Sequence, residues 1–130
     1  MRILSWNAHG DFESGADSKL AELQEIMNCW EEEDPIEIIC LQEISAEGIL
    51  KRFLEFTAEW DILEHSEQAN GMGRHNLVAV RKRFGTLNRD ACGILNLIDY
   101  HDQRGITNSP SRAPLYAAIE TNEKPLFVIT

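Results

Sequence analysis

Apolar positions along this chain change period several times, and each change predicts an element. The opening stretch RILSWNAHG, residues 2–10, holds a short apolar run with Ile3 and Leu4 that stops at Asn7 and Gly10, so a strand is expected over residues 1–6. Residues 11–15 combine Gly, Ser and acids and read as loop. Leu20, Leu23, Met27 and Trp30 then recur at spacings of three and four, the period of an amphipathic helix over residues 18–31, with Asp17 or Ser18 able to cap it. The sequence EEEDP at 31–35 ends that helix, because acids at a helix C-terminus oppose its dipole and Pro35 prevents continuation. Residues 36–41, IEIICL, are β-branched and nearly continuous in apolar character, as in a strand covered on both faces. Strand, helix and strand in this order form a βαβ unit, for which parallel pairing is the default.

Ser45 is a good N-cap for a second helix over residues 46–56, with Ile49, Leu50, Phe53 and Leu54 facing inward and Glu47 paired with Lys51 four residues on. Beyond Trp60 the pattern turns to strands: residues 61–64 and 76–81, joined by the turn-rich SEQANGMGRH, then 94–98, 115–119 and 126–129, with a Ser- and Pro-rich loop at 108–114. Leu77 and Ala79 alternate with Val78 and Val80, which allows burial on two sides. The order βαβα followed by strands predicts a mixed α/β fold in one domain spanning residues 1–130.

Charge narrows the chemistry. The chain carries 22 acids against 12 Lys and Arg, a formal charge of −10. That argues against binding by broad neutralisation of phosphates, but it suits a site that meets phosphate through a carboxylate-held cation. Cys29, Cys40 and Cys92 are widely spaced and form no CxxC pair; Cys29 in the helix pattern and Cys40 in the strand read as buried free thiols. The first apolar run is too short for a secretory segment, and none approaches transmembrane length, so no membrane partner is expected. The expected compartment is the cytoplasm, although a secreted chain that had lost its signal peptide would read alike.

The candidate chemistry lies at the strand ends. Ligands of open α/β sheets bind outside the carboxyl ends of strands, where Asn7 and Glu43 both fall. On parallel neighbouring strands their side chains lie roughly 5–10 Å apart. A hard carboxylate oxygen beside an amide suits Mg2+ or Mn2+, which keep positions for water and phosphate. Gln42, on the opposite face, reads as structural. Spacing alone leaves plainer readings open, Glu43 as a solvated or capping group and Asn7 as a turn residue.

ILSWNAHG followed by IEIICLQE resembles the two N-terminal motifs of the endonuclease/exonuclease/phosphatase superfamily, the DNase I-like fold. The resemblance implies a four-layer α/β sandwich of which this chain is the N-terminal half, a mixed sheet with helices on one face. It implies Glu43 as ligand of the catalytic divalent metal and Asn7 as its supporting group close to the scissile phosphate. GRHNLVAV at 73–80, SRAPLYAAI at 111–119 and PLFVIT at 125–130 resemble the B subunit branch of cytolethal distending toxins, with Ala113 inserted between Arg112 and Pro114 as a departure. Carried over, Arg74 and Arg112 are phosphate contacts, a role that fits the planar guanidinium fork, and DNA is the implied substrate. His9, in the Asn7 loop, is a candidate substrate contact that the family does not demand. His75 reads as a strand-end histidine with its hydrogen bonds satisfied.

Members of this superfamily are roughly twice as long, and their second half carries a His-bearing motif, a Gly-Asp-x-Asn motif and a Ser-Asp-His motif that this chain does not contain. The expected function is therefore the N-terminal portion of a metal-dependent phosphodiesterase or nuclease, inactive alone, with a non-catalytic binding or regulatory protein as the alternative. The expected partners are DNA and either a complementing C-terminal half or a second copy. The second copy is expected because half a sandwich would leave one sheet face bare.

Overall fold

The computed structural model describes residues 1–9, 16–30, 34–45, 48–64, 74–94 and 114–130. Its elements in chain order are β1 (Arg2–Asn7), α1 (Ala16–Trp30), β2 (Ile36–Ser45), α2 (Ile49–Phe56), β3 (Trp60–Glu64) and β4 (Arg74–Arg81). Then follow β5 (Gly85–Leu87), a single 3-10 turn (Arg89–Ala91), β6 (Gly93–Ile94), β7 (Leu115–Thr121) and β8 (Leu126–Ile129). The first sheet has the order β1-β2-β4-β3. β1 lies parallel to β2, as the βαβ reading expects, while β4 runs antiparallel to both β2 and β3.

Two apolar cores flank that sheet. On one face Leu23 and Met27 of α1 and Leu50 and Leu54 of α2 pack with Ile36, Ile39, Leu41, Leu77 and Ala79. On the other, Ile38, Cys40, Val78 and Val80 meet Leu87, Leu115, Ala117 and Ile119 of a second sheet, in which β7 pairs with β5, β6 and β8. The alternation of β4 is thus used on both sides. The first sheet is thus covered on both faces, while the outer face of the second carries the exposed Phe127 and Ile129 of β8 and meets no helix among the described residues. The turn at 82–84, where the Phe84 amide donates to the Arg81 carbonyl, takes the chain out of the first sheet and lets the later strands form a layer over it.

Local differences from the sequence reading have physical causes. β2 runs past Leu41 through Ser45, because a bulge at 42–43 returns Ile44 to the helix-side core. Ser45 is therefore a strand residue, and α2 starts at Ile49 behind Gly48; Glu47 lies outside the described residues. Lys51 pairs with Glu64 of β3 at 2.7 Å and, more loosely, with Glu55 at 3.7 Å. Cys29 is exposed, not buried, whereas Cys40 is buried as expected. Of the strand expected at 94–98 only Ile94 falls among the described residues, and the loop at 108–113 lies outside them.

Candidate functional site

β1 and β2 end side by side, with Asn7 in register with Gln42 and the Ala8 amide donating to the Gln42 carbonyl at 2.9 Å. Between Leu41 and Ile44 of β2 stand two residues, whereas between their partners Leu77 and His75 on β4 stands only Asn76. This two-against-one bulge re-aims its residues. Glu43 sits in it with φ 58°, a left-handed conformation that costs a side-chain-bearing residue on the order of 1 kcal/mol or more. The strain turns the carboxylate toward the end of β1, where Asn7 Nδ2 donates to Glu43 Oε1 at 2.6 Å. The carboxylate is nearly enclosed, Glu43 being 3 % exposed.

The preceding loop is shaped around the same pair. Asn7 Oδ1 accepts the His9 amide at 3.0 Å, closing a local side-chain turn, and His9 itself has φ 51°. That conformation brings His9 Nδ1 to 3.7 Å from Glu43 Oε2 while the imidazole stays largely exposed. Lys19 of α1 donates its ammonium to the Ala8 carbonyl and so ties the helix to this loop. The sequence carried no signal for Lys19, since a lysine in the second turn of a helix is ordinarily a solvated charge. Asn7, Glu43 and His9 are therefore brought together, with Asn7 holding both the carboxylate and the loop.

The remaining candidates divide. Arg74 opens β4, and its backbone pairs opposite Ser45, two residues beyond Glu43 on β2. Arg112 lies outside the described residues. Gln42 faces away from Glu43 and bridges the two sheets, its amide nitrogen donating to Ser5 Oγ at 3.2 Å and Thr130 Oγ1 at 2.6 Å, in keeping with a structural role. His75 is not satisfied: it is 6 % exposed, and neither ring nitrogen has a hydrogen-bond partner among the described residues. Its strand neighbour across β2 is the apolar Ile44, which offers none.

Among the described residues no group of three or more His, Cys, Asp or Glu side chains converges, so the donor set here is one buried carboxylate with an amide and an exposed imidazole beside it. That set fits a hard divalent cation that keeps most of its shell for water and phosphate, and does not fit a closed protein cage. No helix among the described residues is long and apolar enough to cross a membrane.

No family model matches the chain, and no curated protein does. Solved structures do match. A humanized D. rerio TDP2 carrying 14 mutations is 16% identical with a TM-score of 0.68, over 98% of this chain and 47% of that one. Truncated Caenorhabditis elegans TDP2 is 15% identical with a TM-score of 0.59, over 98% and 43%. A functionally unknown conserved protein from Enterococcus faecalis V583 is 16% identical with a TM-score of 0.64, over 99% and 51%. The chain thus spans about half the length of these structures, and at this identity the likeness is one of fold. That fold, a mixed sheet with helices on one face and a second sheet on the other, is half of a DNase I-like α/β sandwich, and it fits the N-terminal half expected from the two motifs.

Proposed function

We propose that this chain carries the cation- and phosphate-binding half of a phosphodiesterase site that acts on DNA. The observation behind this reading is the enclosed Glu43 carboxylate, aimed by a left-handed bulge and held by Asn7 at 2.6 Å. A carboxylate that only capped a turn would not need to be buried in strained backbone. The likeness in fold to TDP2 is in keeping with this reading.

Mg2+ or Mn2+ held at Glu43 would neutralise charge on a phosphoryl oxygen and acidify a bound water. Asn7 fixes the carboxylate through Nδ2 at Oε1, and the other oxygen lies on the side of His9, 3.7 Å from its Nδ1. His9, exposed beside the carboxylate, is positioned to donate to a phosphate or a base edge. Arg74 and Arg112 are assigned as phosphate contacts on the toxin-like motifs, where a charged fork meets two phosphoryl oxygens. The groups that activate water and hold the departing oxygen belong to the complementing half, so the chain by itself binds without turnover. Three free thiols, one of them exposed, fit a reducing compartment, and we assign the chain to the cytoplasm.

The test is anisotropy of a fluorescent single-stranded DNA oligonucleotide titrated with the chain, with and without Mg2+. Binding should require the cation and be lost in Glu43→Gln, with no cleavage of the probe. Binding of equal strength in EDTA, or unchanged in Glu43→Gln, would overturn the proposal.

A further inference from the structure

His9 faces Glu43 with one particular atom. Its Nδ1 lies 3.7 Å from Oε2, while Asn7 Nδ2 donates to the other carboxylate oxygen, Oε1. That separation is too long for a hydrogen bond. It is close to the spacing a shared ion imposes: bonds of about 2.1 Å at a tetrahedral angle set nitrogen and oxygen roughly 3.4 Å apart. A protonated imidazole in a loose ion pair with the carboxylate would stand at the same distance.

The backbone favours the ion. Among the described residues three that are not glycine have positive φ: His9, Glu43 and Ala58. Ala58 follows a helix C-terminus, where that conformation is ordinary. His9 and Glu43 belong to adjoining strand ends, and their donor atoms converge. Strain of this kind gathers where a ligand is clamped, and an exposed ion pair contributes too little to hold two such conformations. The loop also fixes His9, although its imidazole is exposed. Asn7 Oδ1 accepts the His9 amide at 3.0 Å, the Ala8 amide donates to the Gln42 carbonyl at 2.9 Å, and Lys19 donates to the Ala8 carbonyl. Ala8 itself is buried in the helix-side core. A side chain carried on so tied a loop is pre-organised.

We propose that His9 Nδ1 is a ligand of the cation held at Glu43, and that this nitrogen favours a transition ion, Zn2+, Co2+ or Mn2+, over Mg2+. The inference rests on the cation site proposed at Glu43 and adds the identity of the ion. Mg2+ takes oxygen ligands and gains little from a nitrogen, whereas imidazole suits the transition ions. With Nδ1 on the ion, Nε2 keeps the ring proton and is left to donate to a phosphate or a base edge. Two protein ligands leave the remaining positions to water and phosphoryl oxygens.

Isothermal titration calorimetry with Zn2+ and, separately, with Mg2+ tests it, in a Cys29→Ser background that removes the exposed thiol as a competing zinc ligand. His9→Asn places there a residue that accepts left-handed backbone. It should raise the Zn2+ dissociation constant about tenfold or more and change that of Mg2+ less than about twofold. Long-range proton–nitrogen NMR spectra should show the His9 Nδ1 signal moving on addition of Zn2+ while Nε2 retains its proton. Both ions bound through Glu43 and both indifferent to His9→Asn would overturn this proposal and leave the cation site standing. Equal weakening of the two ions would overturn it too, since His9 would then act only by shaping the loop. Binding unchanged in Glu43→Gln, or no binding at all, would overturn the cation site and this inference with it.

Discussion

Glu43, Cys29, Cys40 and His75 show what single residues contribute. The polar ends of two apolar strands were legible, because Asn7 and Glu43 interrupt runs that a buried strand would otherwise continue. The left-handed backbone at Glu43 was not, since nothing in QE distinguishes a bulge from a regular strand end. Cys29 was misread: it lies about 200° round the helix from Met27 and so falls off the buried stripe. Iodoacetamide should therefore alkylate Cys29 in the native chain within minutes and Cys40 only on unfolding, as mass spectrometry of the peptides would reveal. Burial pushes the Cys40 thiol up to about 11 from its usual 9.0. Because the folded value lies above the unfolded one, this contribution to stability is complete below pH 9 and is lost as pH rises through 11. The loss is on the order of 2 kcal/mol, and urea melts across that range should show it in the native chain and not in Cys40→Ala. His75 buries two nitrogens that find no partner among the described residues, at a cost of about 1–3 kcal/mol, so His75→Leu should raise the urea midpoint; a fall would mean that the imidazole has a partner.

Elements follow from periodicity where one period persists, and fail where local geometry intervenes. The helical stripes of α1 and α2 were legible because Leu23, Met27, Leu50 and Leu54 repeat at three and four and all turn out buried. β5 escaped notice, since three residues cannot establish a period. Its Gly85 has a packing reason instead: a Cβ there would stand 2.6 Å from the Glu120 carbonyl oxygen of β7. The end of α2 carries a correctable strain. Thr57 caps the helix, and Ala58 follows with φ 55°, the position usually filled by glycine. Ala58→Gly should therefore stabilise the chain by up to about 1 kcal/mol, read as a rise in melting temperature, because the relief of the left-handed Cβ clash outweighs the entropy of glycine. Beside it, hydrogen bonding to Glu64 raises the Lys51 ammonium above its ordinary value, which ties α2 to β3 until pH exceeds the lysine range.

At the scale of the whole molecule, the longer strands were legible but not their division between sheets. Each of the later strands is apolar enough to join either layer. What assigns β7 and β8 to the second sheet is long-range packing of Leu115, Ala117 and Ile119 on Ile38 and Val80, which no local pattern encodes. That division places Gln42 between the layers and Glu43 at their common end, so the site follows from the sandwich and not from β1 and β2 alone. The most direct test is paramagnetic: Mn2+ titrated into the isotopically labelled chain, with broadening of backbone amide signals followed by NMR. The expected result is selective loss of the signals of residues 7–9 and 42–44, displaced by excess Mg2+ and absent in a folded Glu43→Gln. Broadening spread evenly over the acidic surface, or persisting in Glu43→Gln, would contradict a cation site built on Asn7 and Glu43.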